Sequence, residues 1–121
     1  MKKIVIVLVG LFLVSSLSAV DDALAIARRE IGVQFDLLKK GKTTQLKTHF
    51  TDRQKARVVD MRVKRAQKET AQYKITDLVH SAQEISHNGR RTIKVKMRNE
   101  RTLTTLVEID GKWYADTVWF K

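Results

Sequence analysis

Asp77 and Asp116 are the two carboxylates of this chain whose positions could serve a reaction. Asp77 falls in an alternating stretch with Tyr73, Ile75 and Val79. A carboxylate turned from such a strand into a closed pocket would be held partly protonated and could act as a general base. Asp116 follows the aromatic pair Trp113 and Tyr114 and offers the same chemistry if its pocket is closed. The plainer reading of both is a solvent-facing or hydrogen-bonded aspartate. His49, His80 and His87 are the three histidines. No two of them have the i, i+2 or i, i+4 spacing that makes a metal pair on one element. Tyr73, Asp77, Asp116 and His49 form no catalytic set recognisable from spacing. The chain has no phosphate-cradling glycine loop and no Gly-x-Ser-x-Gly elbow. Without cysteine it has no disulfide, thiolate metal site or thiol nucleophile. No cofactor or metal is implied.

Charge is the stronger chemical signal. The 121 residues carry 24 Lys+Arg against 13 Asp+Glu, a formal net charge of +11. The excess is local: residues 52–68 hold seven cations and two acids, and residues 90–101 hold six cations and one acid. Arg53, Arg57, Lys64 and Lys68 recur at roughly helical spacing. Arg90, Lys94, Lys96 and Arg98 lie on the outward side of a strand whose other side is Ile93, Val95 and Met97. Two such rows could bind a polyanion through phosphate or sulfate contacts; a solvated basic face is the plainer alternative. The aromatic residues are concentrated in the last strand, away from the basic rows, which argues against a stacked nucleic acid.

The elements that must position these residues follow from periodicity. Met1–Ala19 opens with Lys2 and Lys3, continues as an apolar run from Ile4 to Val14, and ends in Ser15, Ser16, Ser18 and Ala19. That is the layout of a secretory signal peptide. Residues 1–18 are read as the signal, with cleavage after Ser18 or, alternatively, Ala19. The run is short for a spanning helix, which needs about 20 apolar residues. Residues 19–121 are read as one exported, periplasmic or secreted domain, with 22 cations against 13 acids, or +9. Asp21 and Asp22 can cap a helix whose apolar stripe is Leu24, Ala27, Ile31, Phe35 and Leu38. Lys39 and Lys40 suit its end and Gly41 its C′ position, while Gly32 within it suggests a close backbone approach. Thr43 to Phe50 predicts a short second helix. Thr51-Asp52-Arg53-Gln54 reads as a capping box opening a helix to about Lys68, with Ala56, Val59, Val63 and Ala66 as its stripe.

The period then becomes alternating. Strands are expected over 73–80, 93–97, 103–109 and 113–120, with hairpin turns at Asn88-Gly89 and Asp110-Gly111. A two-residue turn at Asp110-Gly111 pairs Val107 with Tyr114 and puts Tyr114, Val118 and Phe120 beside Leu103, Val107 and Ile109. A bulged turn shifts the register by one and puts Trp113 and Trp119 there instead. The bulged form is preferred, because it gathers both tryptophans with the aliphatic set. One aromatic row is left for a cavity rim or partner surface. Helices first and strands after argue for an α+β fold, with N-terminal helices packed on a curved four-stranded antiparallel sheet.

The order of elements resembles the nuclear-transport-factor-2-like (cystatin-like) superfamily over residues 19–121. The resemblance is carried by Leu37-Leu38-Lys39-Lys40-Gly41-Lys42 closing the first helix, the Phe50-Thr51 break, and Leu106-Val107-Glu108-Ile109-Asp110-Gly111-Lys112-Trp113-Tyr114-Ala115-Asp116. It implies a cone-like sheet around a helix-capped pocket, which Phe35, Phe50, Tyr73, Asp77, Trp113, Asp116 and Trp119 would line. Enzymatic members place a carboxylate and a hydroxyl or second acid in that pocket, and no matching set is present here. The expected function is therefore a non-enzymatic exported domain, binding a small apolar ligand or a protein partner in the pocket or on the open sheet. One alternative is a polyanion binder (lipopolysaccharide, anionic lipid or nucleic acid) using the two basic rows. The other is an enzyme with Asp77 or Asp116 as base. A homodimer through the sheet is a further implication of the resemblance.

Overall fold

Helix α1 (Ala19–Lys39) is made by its apolar stripe: Ala23, Ala27, Ile31, Phe35 and Leu38 are buried and Leu24 is half-buried. The computed structural model describes residues 19–120, so the expected signal peptide lies outside the described residues. Asp21 and Asp22 are not caps, because the helix continues back past them to Ala19. Its other end stops as expected. Gly41 takes a φ of +70°, the Gly41 N–H donates to Leu38 O at 3.0 Å, and the Lys42 N–H donates to Leu37 O at 3.0 Å. Those two bonds are a Schellman cap, which needs a residue tolerant of positive φ at that point. Gly32 marks no close approach: nothing lies within 4 Å of where a Cβ would sit.

The short helix α2 (Thr43–Lys47) buries Leu46 and delivers Phe50 to the core. The expected single helix over 51–68 is two: α3 (Asp52–Lys55) and α4 (Asp60–Glu69). The break has a geometric cause. Val58 and Val63 are both buried, yet five residues are about 140° apart around a continuous helix. An extended Val59 (φ −124°, ψ 157°) lets Val58 turn into the core and leaves Val59 itself 40% exposed. The capping box does not form either, since Thr51 makes no side-chain cap bond.

The strand expected over 73–80 is instead a turn and the short helix α5 (Ile75–Leu78). Asp77 accounts for the difference, accepting a hydrogen bond from the Lys74 N–H at 2.8 Å and so closing the helical turn. The sheet is β1 (Ser81–His87), β2 (Arg90–Lys96), β3 (Thr102–Ile109) and β4 (Lys112–Ala115), in that spatial order and all antiparallel. It is an α+β fold. β1 and β4 are not paired with each other, so the sheet is open rather than closed.

Both hairpins turn through two residues with positive φ: Asn88 (54°) and Gly89 (74°), then Asp110 (52°) and Gly111 (79°). That is the type I′ geometry that suits strand twist. The bulged register at Asp110-Gly111 is therefore corrected: Val107 pairs with Tyr114 and Leu106 with Ala115. The irregularity falls elsewhere, beside Leu103 between β2 and β3. β4 ends at Ala115, although the Asp116 N–H still donates to Thr105 O at 2.8 Å, and residues 117–120 form no strand. The face toward the helices carries Ile93, Val95, Leu106, Trp113 and Ala115, all buried. Val107 and Ile109, expected with the core set, alternate to the other face.

Candidate functional site: the open face of the sheet

The face turned away from the helices is set by strand register. Thr92 pairs with Val107 and Val107 with Tyr114, so these three form one row across β2, β3 and β4. Counting by twos along each strand, the same face receives Gln83 and Ile85 from β1, Arg90, Lys94 and Lys96 from β2, Thr105 and Ile109 from β3, and Lys112 from β4. Thr105, Val107, Ile109 and Tyr114 are half-buried, and Ile85 is exposed. The result is an apolar floor beside a basic row. A groove of about 790 Å³ occupies one end, with Thr92, Val107 and Ile109 in its lining and Thr51, Arg53, Arg90 and Asp116 at its sides.

Asp116 is fixed in that groove wall. The Arg53 guanidinium donates to both of its oxygens, at 3.0 and 2.6 Å, and the Thr51 hydroxyl donates to Oδ1 at 2.9 Å. That is where the Thr51 hydroxyl goes instead of capping α3. The hydrogen bonds and charge of Asp116 hold the Arg53 guanidinium above its ordinary pKa. Arg90, Lys94 and Lys96 differ: none of them enters an ion pair among the described residues. Lys94 and Lys96 are half-buried, which fits stems lying on the sheet with ammonium groups reaching solvent.

The opposite face treats charge in another way. Arg91 donates to both oxygens of Glu84, at 3.1 and 2.7 Å, and its Nη1 lies 3.6 Å from Glu108. Its guanidinium also sits 5.3 Å from the centre of the Trp113 ring. The Arg91 hydrogen bonds hold the Glu84 carboxyl below its usual range, and the same bonds hold Arg91 above its own. Sequence reading did not single out this cluster, although Glu84 and Glu108 sit on the two strands flanking Arg91 and share its face, Glu84 diagonally.

The seven residues expected to line a pocket do not converge on one. Phe35, Phe50 and Trp113 are buried in the core. Phe50 packs edge-on to Phe120 at 6.0 Å, and Phe35 edge-on to Trp119 at 6.3 Å. Trp119 is half-buried and donates its Nε1–H to Gln34 Oε1 at 2.8 Å. Tyr73 is 45% exposed. Asp77 caps α5 and lies 3.4 Å from Arg98, while Asp116 belongs to the groove wall. Neither aspartate lies buried in a closed pocket, which the role of base requires.

The basic residues also divide. Arg53 and Arg57 belong to α3 and the turn after it, and Lys64 and Lys68 to α4, so the row expected on one helix is split between two. Among Arg90, Lys94, Lys96 and Arg98, Arg98 lies outside β2 and faces Asp77. The expected separation of aromatics from cations is corrected by the register, since Tyr114 shares the face of the basic row. Among the described residues no group of three His, Asp or Glu could hold a metal ion. No described helix is long and apolar enough to cross a membrane. Compared with family models, curated proteins and solved structures, the chain matches none.

Proposed function

We propose that this chain is an exported binding domain that takes an anionic polymer on the open face of its sheet. The observation that carries the reading is the row Arg90, Lys94 and Lys96, free of ion pairs among the described residues and set beside Val107, Ile109 and Tyr114. Lys94 and Lys96, two residues apart on the strand, stand about 6.6–6.8 Å from each other, and Arg90 lies about 13 Å from Lys94. A chain of phosphates, sulfates or carboxylates would meet that spacing with repeated contacts. The floor offers an apolar surface and one aromatic ring on which a sugar or base can lie.

The layout of residues 1–18 supports export. The order of helices, break and meander supports placing the chain near the nuclear-transport-factor-2-like superfamily, with an open sheet in place of a closed cone. Phe35, Phe50 and Trp113 are used in the core, which favours the sheet face over an aromatic-lined closed pocket as the surface for either a small ligand or a partner. An enzymatic reading would need a carboxylate free to take a proton, whereas Asp116 is held by Arg53 and Thr51 and Asp77 by the Lys74 N–H.

The test compares the wild type with a variant carrying Arg90→Glu, Lys94→Glu and Lys96→Glu on heparin, lipopolysaccharide, single-stranded DNA and anionic vesicles. At least one anionic surface should retain the wild type and release the variant, while circular dichroism and melting temperature stay close. Equal retention of the two proteins on every surface would remove the reading.

A further inference from the structure

The two edges of the sheet are unlike. The β4 edge is covered at its Ala115 end by the segment around Phe50, which bridges Ala115 in parallel. The Thr51 N–H donates to Ala115 O at 3.0 Å and the Ala115 N–H to His49 O at 2.9 Å. The β1 edge is unpaired among the described residues. All seven of its residues pair with β2 on one side, and no other described strand pairs with it on the other. Ser81, Gln83, Glu84, Ile85 and Ser86 are exposed. An unpaired edge is a template for another strand, and natural edges are guarded by lysine, proline, a bulge or an inward charge. β1 has no lysine and no proline, and its register with β2 is unbroken. Its one charged residue, Glu84, is neutralised within the sheet by Arg91 and so does not guard it.

We propose that this edge pairs with β1 of a second copy of the chain, antiparallel and centred on Ile85, to give an eight-stranded sheet. Three features select a second copy. Ile85 is 37% exposed, and this register sets it against the same residue of the other copy. Glu84 then faces Ser86, so no like charges meet, whereas centring one residue earlier would oppose two glutamates. Residues 81–89 also carry a single charge, negative, in a chain of net +11. The β1 edge is where two such basic molecules can approach without opposing their cationic rows. A twofold axis perpendicular to the sheet keeps the helices of both copies on one side and joins the two open faces into one surface. The dimer stands independently of what that surface binds.

Single-cysteine variants test the register, because the chain has no cysteine of its own. Residues directly opposite in an antiparallel pair have Cα atoms about 4.5–5.5 Å apart, within disulfide reach. Ile85→Cys should therefore cross-link to itself on mild oxidation. Gln83→Cys would lie about 13 Å from its copy and should stay reduced, as should Val107→Cys on the open face. The purified protein should sediment as a dimer, and Ile85→Lys should sediment as a monomer with an unchanged circular dichroism spectrum. A wild type that stays monomeric at its highest soluble concentration would overturn the proposal. So would a dimer that cross-links through Val107→Cys or Gln83→Cys rather than Ile85→Cys.

Discussion

Arg90 and Arg91 are neighbours on β2, and the pleat sends them to opposite faces. Arg91 meets two glutamates and a tryptophan ring on the helix side. Arg90 meets the groove and stands with Lys94 and Lys96, outside the ion pairs of the described residues. Counting charge by segment assigns both arginines to one basic stretch, residues 90–101. Counting by register separates a cation that organises the fold from cations that stand outside the ion pairs of the described residues. The same separation holds for the 52–68 segment, where Arg53 is committed to Asp116 while Arg62, Lys64, Arg65 and Lys68 project from α4 into solvent.

The widest contrast between the faces lies in packing. Leu106 is fully buried toward the helices and Val107 half-buried on the open face. Leu106→Ala should cost about 2–5 kcal/mol in chemical denaturation and Val107→Ala under about 1 kcal/mol. Equal costs would mean that something covers the open face. A smaller effect separates the arginines. Arg91→Ala leaves Glu84 and Glu108 without their cation and uncovers Trp113, and after allowance for partial exposure it should cost about 1 kcal/mol. Arg90→Ala should stay within about 0.5 kcal/mol of the wild type.

The smallest effect is a pH dependence. Arg91 holds Glu84 below its ordinary value of 4.5. A depressed carboxylate contributes stability that is present above that value and is lost as the pH falls through the folded one. Glu84→Gln should therefore make stability less dependent on pH below about 4.5 and change it by only a few tenths of a kcal/mol at neutrality, because the carboxylate is partly exposed. An unchanged acid limb would show that the Arg91–Glu84 contact does not persist in solution.

Much of the fold is legible in the residues. The stripe from Ala27 to Leu38, the stop at Gly41 and the turns at Asn88-Gly89 and Asp110-Gly111 follow from local rules. β1 was not legible, because an edge strand exposed along most of its length has no need to alternate apolar and polar residues. The stretch from Tyr73 to His80 does alternate, yet it closes into a helical turn in which the Lys74 N–H donates to the Asp77 carboxylate. The break at Ala56–Val59 depends on where the core lies, which Val58 and Val59 do not disclose on their own. At the candidate site the cations were visible, but their company was not. Whether Trp113 or Tyr114 shares a face with Lys94 turns on a one-residue register at Asp110-Gly111.

The most direct test of the open face as an anion site is the salt dependence of binding to a single-stranded oligonucleotide, used as a regular anionic probe. Wild-type affinity should fall linearly in log–log form with salt. Reversing Arg90, Lys94 and Lys96 to glutamate should weaken binding and flatten the slope by about 2, at about 0.7 per lost phosphate contact. Equal affinity and equal slope in the two proteins would contradict the account.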